Sequence, residues 1–355
     1  MKTINVGAIH ESPLQSSVFM KACRREKTPY TPVWLMRQAG RYMKDYRDIR
    51  DKTPFLDICK NKDLVAGITV TAQEKIKADA AIIFSDILLL VESFGLGLEY
   101  LKGDGPSIRR PLRAAKDFES LPEVEPEESL SFVFEAIQST RKALKANIPL
   151  IGFAGAPFTL ASYMIEGGGS DDFKKTKELM RSNEALWKTL MKKIARATAK
   201  YLNAQIEAGA QAIQLFDSWV GNLTSEEYKK YVMPYSAQVF KDLKPDVPAI
   251  HFGTGTGKFL ELMSEAGGSV IGVDHRIRLD EAWKKIGDSK AIQGNLNPQI
   301  LCSTPQAIRN EVKSILNFTD GKPGHIFNLG HGVLPETPVE NVIALVEIVH
   351  ELSHR

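Results

Sequence analysis

The sequence lacks the features that mark secreted, membrane-spanning or nucleic-acid-binding proteins. It has three cysteines in 355 residues, Cys23, Cys59 and Cys302, and no C-x-x-C pair, which argues against a disulfide framework and a cysteine-rich metal site. No apolar run reaches the roughly 18 residues of a transmembrane helix, and the N-terminus has no signal-peptide core. The net charge of +3, without lysine or arginine runs, argues against nucleic-acid binding. We therefore expect a soluble, cytoplasmic protein.

Short apolar runs rich in β-branched residues alternate with helical patterns along the chain. They lie at 32–36, 80–84, 149–153, 212–216, 248–252, 269–273, 290–294 and 325–329. Near-continuous apolar runs are typical of strands covered on both faces, and strand–helix alternation indicates a parallel sheet. Eight such units predict a single (β/α)8 TIM barrel, of α/β class, over residues 1–355. A doubly wound sheet is the alternative, but the MRQAGR after the first run does not match G-x-G-x-x-G.

The segment 88–113 does not fit a plain barrel. Its KGDG sequence at 102–105 is typical of a hairpin turn, so we predict a hairpin inserted after the second strand. Apolar residues at three-to-four spacing predict helices between the strands. Those helices cover 62–77, 129–146, 183–208, 225–242, 305–316 and 338–352, with a capping box from Thr224 to Glu227.

Polar residues follow every predicted strand. Because active sites of such barrels lie at the C-terminal ends of the strands, we expect these residues to converge on one mouth. In strand order they are Arg37, Gln38 and Arg41; Ser85 and Asp86; Tyr163; Asp217 and Ser218; the GTGTG at 253–257; Asp274 and His275; Asn295 and Asn297; and His331.

Several of these residues have a plain structural alternative. Arg37 and Arg41 fit either a solvated loop or an anion site, since guanidinium groups bind carboxylates in a bidentate manner. The Asp86 carboxylate could cap the next helix or stabilise a cation on a ligand. Asp217 is better explained as a structural partner, whereas glycines on both sides of His331 favour a site role. No H-E-x-x-H or close His/Cys pair occurs, so no metal is predicted.

Five segments in order, PVWLMRQAGRY, FSDILL, GFAGAPFTLASYMIEGG, QLFDSW and FNLGHGVLPETP, together resemble the uroporphyrinogen decarboxylase family. The resemblance runs from about residue 15 to the C-terminus. It implies a (β/α)8 barrel, a homodimer, and a lyase of porphyrin and haem biosynthesis that needs neither metal nor cofactor. The implied reaction converts the four acetate side chains of uroporphyrinogen III, a tetrapyrrole, to methyl groups and gives coproporphyrinogen III.

The resemblance also implies site residues. Arg37, Gln38, Ala39, Gly40 and Arg41 match the carboxylate-binding loop, Asp86 matches the carboxylate facing the pyrrole nitrogens, and Tyr163, Ser218 and His331 match further substrate-binding positions. In the implied chemistry, a protonated pyrrole ring accepts the electrons released with carbon dioxide, and ionised Asp86 stabilises that cation. Arg37 is the second predicted catalytic residue. The proton donor is a substrate carboxyl, Arg37 or a water.

Three positions depart from the family pattern: Asn297 replaces an aspartate, His275 a tryptophan and Glu92 a proline. They bear on local loop geometry. Two other functions compete with the decarboxylase. A zinc-dependent methyltransferase of the same fold would have only Cys302 and His251 as conceivable ligands. A tetrapyrrole carrier without chemistry would need the arginines but no aspartate beneath the ring.

Overall fold

A curled parallel sheet forms the centre of the computed structural model, which describes residues 12–101 and 105–355. Within those ranges the sheet has seven strands in the order β1-β4-β5-β6-β7-β8-β9, and β2 and β3 form a separate antiparallel pair. The strands are β1 Ala81–Ile82, β2 Leu98–Leu101, β3 Gly105–Ile108, β4 Leu150–Gly155, β5 Ala212–Asp217, β6 Ala249–Gly253, β7 Val270–Gly272, β8 Ala291–Gln293 and β9 His325–Ile326. The barrel prediction is confirmed. The doubly wound alternative is wrong, because the strand order never reverses.

The first predicted strand, 32–36, closes the barrel through a single bridge rather than a regular strand. Val33 pairs in parallel with Phe327, whose N–H donates to the Pro32 carbonyl at 2.8 Å. On the other side the Asp79 N–H donates to the Val33 carbonyl at 2.8 Å. Pro32 has no N–H to extend the ladder, and Arg37 adopts a φ of +59°, which ends the extended segment. This segment, which completes the ring of eight, therefore forms only one bridge pair with its neighbour Phe327.

Helices cover the outside of the sheet and connect its strands. They are α1 Val18–Cys23, α2 Lys44–Arg50, α3 Phe55–Cys59, α4 Lys62–Ile76, α5 Leu89–Ser93, α6 Ala115–Glu119, α7 Pro126–Ser129, α8 Ser131–Ala143, α9 Pro157–Glu166, α10 Lys174–Ser182, α11 Glu184–Glu207, α12 Ser225–Tyr231, α13 Met233–Lys241, α14 Leu260–Ala266, α15 Leu279–Ile286, α16 Pro305–Thr319 and α17 Val339–Ser353, with 3₁₀ turns at Val220–Asn222 and Pro298–Cys302. In the described ranges, no helix is both long enough and apolar enough to cross a bilayer.

The predicted helices are present, with one correction. The helix predicted over 225–242 is two helices, α12 and α13, because Pro234 near the start of α13 cannot donate a helical hydrogen bond. The capping box at the start of α12 is confirmed: the Glu227 N–H donates to Thr224 Oγ1 at 3.2 Å, and the Thr224 N–H donates to Glu227 Oε2 at 3.0 Å.

The inserted hairpin is confirmed by the antiparallel pairing of β2 with β3. Of the predicted KGDG turn, Lys102, Gly103 and Asp104 lie outside the described residues. The hairpin docks on α9, since the Ile108 N–H donates to the Gly167 carbonyl at 2.8 Å. It thus lies beside the helix that carries Tyr163. The single-domain organisation over 1–355 stays a prediction.

Candidate active site

The loop after the closing strand presents two arginine side chains to solvent. Arg37 and Arg41 are exposed, and neither forms an ion pair among the residues that the structure describes. Lys44, later in the same loop, differs from the two arginines because its ammonium group pairs with the Asp48 carboxylate. The positive charges of the two arginines are therefore available to an anionic ligand, as the anion-site hypothesis requires.

Gln38 serves the loop itself. It is 2% exposed, its Nε2 donates to the Ala80 carbonyl at 3.3 Å, and its Oε1 accepts from the Leu35 N–H at 3.3 Å. Ala39 and Gly40 are half-buried. Because both ends of the Gln38 amide are engaged within the protein, its side chain fixes the loop that carries the arginines. Direct ligand contacts of Gln38, Ala39 and Gly40 stay predictions.

The loop after β9 supports Arg37. A methyl group at Gly332 would lie 2.4 Å from Arg37 Cδ and 2.6 Å from its Cγ, so the arginine side chain crosses this glycine in direct contact. The Val333 N–H donates to the Met36 carbonyl at 3.0 Å and ties the two loops together. His331 is exposed next to this contact. Partial burial of its ring, and then the charge of Arg37, lower its pKa.

Asp86 lies just beyond β1. Its Oδ1 accepts from the Leu88 N–H at 2.8 Å, which forms an Asx turn. The carboxylate does not cap the next helix, because Leu88 occupies the N-cap position of α5. Burial raises the pKa of Asp86, while the Tyr100 hydroxyl, the Leu88 N–H and the charge of Arg37 act in the opposite direction. These three groups favour the ionised form.

Tyr100 was not found by sequence reasoning. It lies on β2, and its ring contacts Phe55 with centroids 4.6 Å apart. Its hydroxyl is buried beside Asp86, close enough to influence that carboxyl, but has no hydrogen-bond partner among the residues that the structure describes. Its effect on Asp86 is therefore that of a nearby dipole. The inserted hairpin therefore delivers a polar group to the aspartate.

Tyr163 joins the same group of residues. It is buried on α9, and burial together with the negative charge of Asp86 raises its pKa to about 12, so it remains a neutral hydrogen-bond donor near pH 7. Its ring lies 6.0 Å from that of Trp219. Ser218 is half-buried after β5, and its carbonyl accepts from Thr254 Oγ1. The structure brings Arg37, Asp86 and Tyr163 together and places Ser218 on a neighbouring loop of the same mouth.

Asp217, His251, His325 and Cys302 lie away from this group of residues. Asp217 is fully buried, accepts from Thr159 Oγ1 at 3.1 Å, and has a pKa raised by burial to about 7. His251 and His325 are buried in the core. Cys302 is exposed and contacts Thr337. Within 12–101 and 105–355, no three His, Cys, Asp or Glu side chains are grouped in a way that could hold a metal ion.

This arrangement can bind carboxylates and stabilise a cation side by side. The exposed guanidinium groups of Arg37 and Arg41 attract a polyanion, and bidentate pairing fixes the orientation of a carboxylate. Partly buried Asp86 offers a negative charge in surroundings with little water, where its interactions are stronger than in solution. A ligand that carries carboxylates on a ring able to become positively charged would suit both the arginines and Asp86.

Comparison with known proteins agrees with this chemistry. The family model for uroporphyrinogen decarboxylase (URO-D) matches residues 14–352. The uroporphyrinogen decarboxylase of Carboxydothermus hydrogenoformans is 52% identical over 339 residues, which cover 95% of this chain and 97% of the relative. The enzyme of the same name from Sorangium cellulosum is 49% identical over 335 residues, 94% of this chain and 96% of the relative.

Solved structures agree on the fold. A methyltransferase from Methanosarcina mazei superposes with a TM-score of 0.81 at 20% identity, over 95% of this chain and 98% of that one. A B12-independent methionine synthase from Shewanella sp. W3-18-1 has a TM-score of 0.55 at 12% identity, over 82% of this chain and 87% of that one. At such identities the likeness shows the barrel fold alone.

Proposed function

The chain belongs to the uroporphyrinogen decarboxylase family, and from that premise we propose that it is a carboxy-lyase that converts uroporphyrinogen III to coproporphyrinogen III. Four acetate side chains lose carbon dioxide and become methyl groups. The observation that carries the proposal for this site is the juxtaposition of an exposed guanidinium, Arg37, with partly buried Asp86 and the neutral phenol of Tyr163.

The electrons released with carbon dioxide need an acceptor, which the substrate provides. Protonation of a pyrrole carbon gives a cationic ring conjugated to the acetate methylene. The bond between that methylene and the carboxylate then breaks, and its electron pair neutralises the ring. A proton added to the methylene carbon and another lost from the ring carbon restore the pyrrole and leave a methyl group. The reaction proposed here therefore needs no cofactor or metal.

Ionised Asp86 stabilises the cationic ring in this scheme. Its carboxylate accepts hydrogen bonds from pyrrole N–H groups and faces the positive charge that develops after protonation. A preorganised charge of this kind contributes about 3–4 kcal/mol to the transition state, or roughly 10²–10³ in rate. The Leu88 N–H and the Arg37 charge oppose the effect of burial on its pKa and help to maintain the anion.

Arg37 and Arg41 bind carboxylates of the substrate, and Tyr163, Ser218 and His331 complete the polar wall of the mouth. Because Arg37 interacts electrostatically with Asp86, Tyr163 and His331, the carboxylate that it holds lies within reach of the reacting ring. Arg37→Ala should therefore raise KM and lower kcat together. The proton donor is a substrate carboxyl, Arg37 or a water.

We further propose that the protein is a cytoplasmic homodimer, as the family resemblance implies. Sedimentation equilibrium of the purified protein tests the dimer. A single species with the mass of one chain, 39.4 kDa, would contradict it.

The test of the function is anaerobic incubation with uroporphyrinogen III, in the presence of EDTA and without added cofactor. Samples are oxidised over time, and the carboxylates of each porphyrin are counted by chromatography and mass. We expect stepwise passage from eight carboxylates to four. Asp86→Asn should fold and lose most turnover, whereas the control Asp288→Asn, at an exposed position, should retain it. Binding without loss of carbon dioxide would favour a carrier, and activity that EDTA abolishes would favour a metal-dependent enzyme.

A further inference from the structure

A second positively charged group lies across the mouth from Asp86. In the closed barrel, β1 and β7 are separated by four strand positions in either direction, so the loops that follow them face each other. The loop after β1 carries Asp86. The loop after β7 carries Asp274, His275 and Arg276, of which the last was not among the candidates drawn from the sequence.

Arg276 is paired with Asp274 yet remains largely exposed. Asp274 is 2% exposed and accepts from the Gly255 N–H at 2.7 Å and from the Arg276 N–H at 3.2 Å. Its Oδ2 lies 3.5 Å from Arg276 Nη1, yet 65% of the arginine side chain is exposed. A guanidinium has five N–H donors, more than one carboxylate can engage. Asp274 therefore orients the Arg276 side chain and still leaves it able to bind a ligand carboxylate.

Backbone contacts connect this arginine to the site already described. A methyl group at Gly255 would lie 3.2 Å from Arg276 Nη1, and one at Gly330 would lie 2.1 Å from the His275 nitrogen. Gly330 directly precedes His331, which in turn lies beside Arg37. Arg276, His275, His331 and Arg37 therefore lie along one stretch of the mouth. The pKa of His331 is lowered by partial burial and by Arg37, His275 and Arg276, which places all three close to its ring.

We propose that Arg276 binds a propionate carboxylate of the substrate on the wall opposite Asp86. The inference rests on the proposed function and assigns a specificity role within it. Uroporphyrinogen carries four acetates, which disappear one at a time, and four propionates, which persist. A contact that must serve all four decarboxylations can depend only on the groups present every time. In the proposed function Asp86 faces the reacting ring, and Arg276 lies on the opposite wall, where it can hold a propionate without engaging the acetate that reacts.

The experiment compares the four-propionate product with the eight-carboxylate substrate. The Kd of coproporphyrinogen III is measured by anaerobic equilibrium dialysis, with oxidation of each compartment before porphyrin absorbance is read. KM and kcat for uroporphyrinogen III are measured in parallel. The variants are Arg276→Gln and, as a matched control two residues away, Arg278→Gln, whose arginine is 58% exposed and paired with Asp280.

We expect Arg276→Gln to raise the Kd of coproporphyrinogen and the KM of uroporphyrinogen by a similar factor, about 10-fold, because a charge-assisted hydrogen bond is lost equally from both ligands. The value of kcat should change less than 3-fold. Arg278→Gln should change each value less than 2-fold. An unchanged Kd in Arg276→Gln would overturn the proposal, and so would a rise in KM without a rise in Kd, which would assign Arg276 to acetates.

Failure of the proposed function gives a different result. A wild-type protein that bound coproporphyrinogen but released no carbon dioxide would contradict the function and leave the comparison of Kd values valid. A wild-type protein that bound neither compound would overturn both proposals.

Discussion

Gly332→Ala should damage the site while sparing the fold. The added methyl carbon would lie 2.4 Å from Arg37 Cδ, whereas carbon atoms in contact lie about 3.5–4.0 Å apart. The arginine side chain must therefore move by at least about 1 Å. Arg37 is exposed and flexible, so the movement costs little stability. A displacement of about 1 Å in a group that positions the substrate costs on the order of 10²-fold in rate.

We expect kcat/KM for uroporphyrinogen III to fall roughly 10- to 100-fold in Gly332→Ala, which corresponds to about 1.4–2.8 kcal/mol of lost transition-state binding. The free energy of unfolding, measured in urea, should change by less than about 1 kcal/mol. The matched control is Gly257→Ala, since its methyl group would meet Ile277 at an ordinary 3.5 Å. This control should keep wild-type kinetics.

A double-mutant cycle isolates the cause. In an Arg37→Ala background the colliding Cγ and Cδ atoms are absent, so Gly332→Ala should lower kcat/KM no further. Additive losses in the double variant would refute the argument, because they would show that Gly332 acts independently of Arg37. Wild-type kinetics in Gly332→Ala alone would refute it as well.

Two further predictions follow from the buried titratable groups. Tyr100→Phe removes a group that lowers the pKa of Asp86, so that pKa should rise and the acidic limb of the pH profile of kcat/KM should move to higher pH. The control is Tyr30→Phe, which should leave the limb in place because the Tyr30 hydroxyl contacts Asp79 instead. An unmoved limb in Tyr100→Phe would show that Tyr100 does not affect the ionisation of Asp86. Asp217 has a folded-state pKa raised to about 7, above its ordinary value of about 3.8, so its contribution to stability is complete below about pH 4 and is lost as the pH rises through 7. Asp217→Asn should therefore gain stability relative to wild type between pH 5 and pH 8 in urea unfolding, and parallel curves would contradict this.

The sequence predicted the barrel well because each strand is a local apolar run. Strand–helix alternation then leaves few ways to connect eight such runs. The first apolar run differs from the prediction because Pro32 and the turn at Arg37 reduce the expected strand to one bridge. The split between α12 and α13 was missed because the apolar spacing continues across Val232, while Pro234 interrupts the hydrogen bonding.

The site could be predicted only in part. Asp86 and Arg37 follow strands directly, and parallel topology brings strand ends together whatever the loops do. Tyr100 reaches Asp86 through the register of a hairpin, in which it pairs with Pro106, and no local pattern encodes that position. Arg276 resembles any surface arginine in the sequence. Its role becomes visible only when buried Asp274 is seen to orient it.

The seam of the barrel joins segments that are far apart in the sequence. Val33 bridges to Phe327, and the Thr31 N–H donates to Ser353 Oγ at 2.9 Å. Arg37 and His331 lie near opposite limits of these segments, so the ribosome adds the second long after the first. A nascent chain that stops short of Phe327 can contain Asp86 and Tyr163 and still lack the contact that completes the mouth. Closure of this seam must therefore come before the binding of any ligand that contacts Arg37 and His331 together.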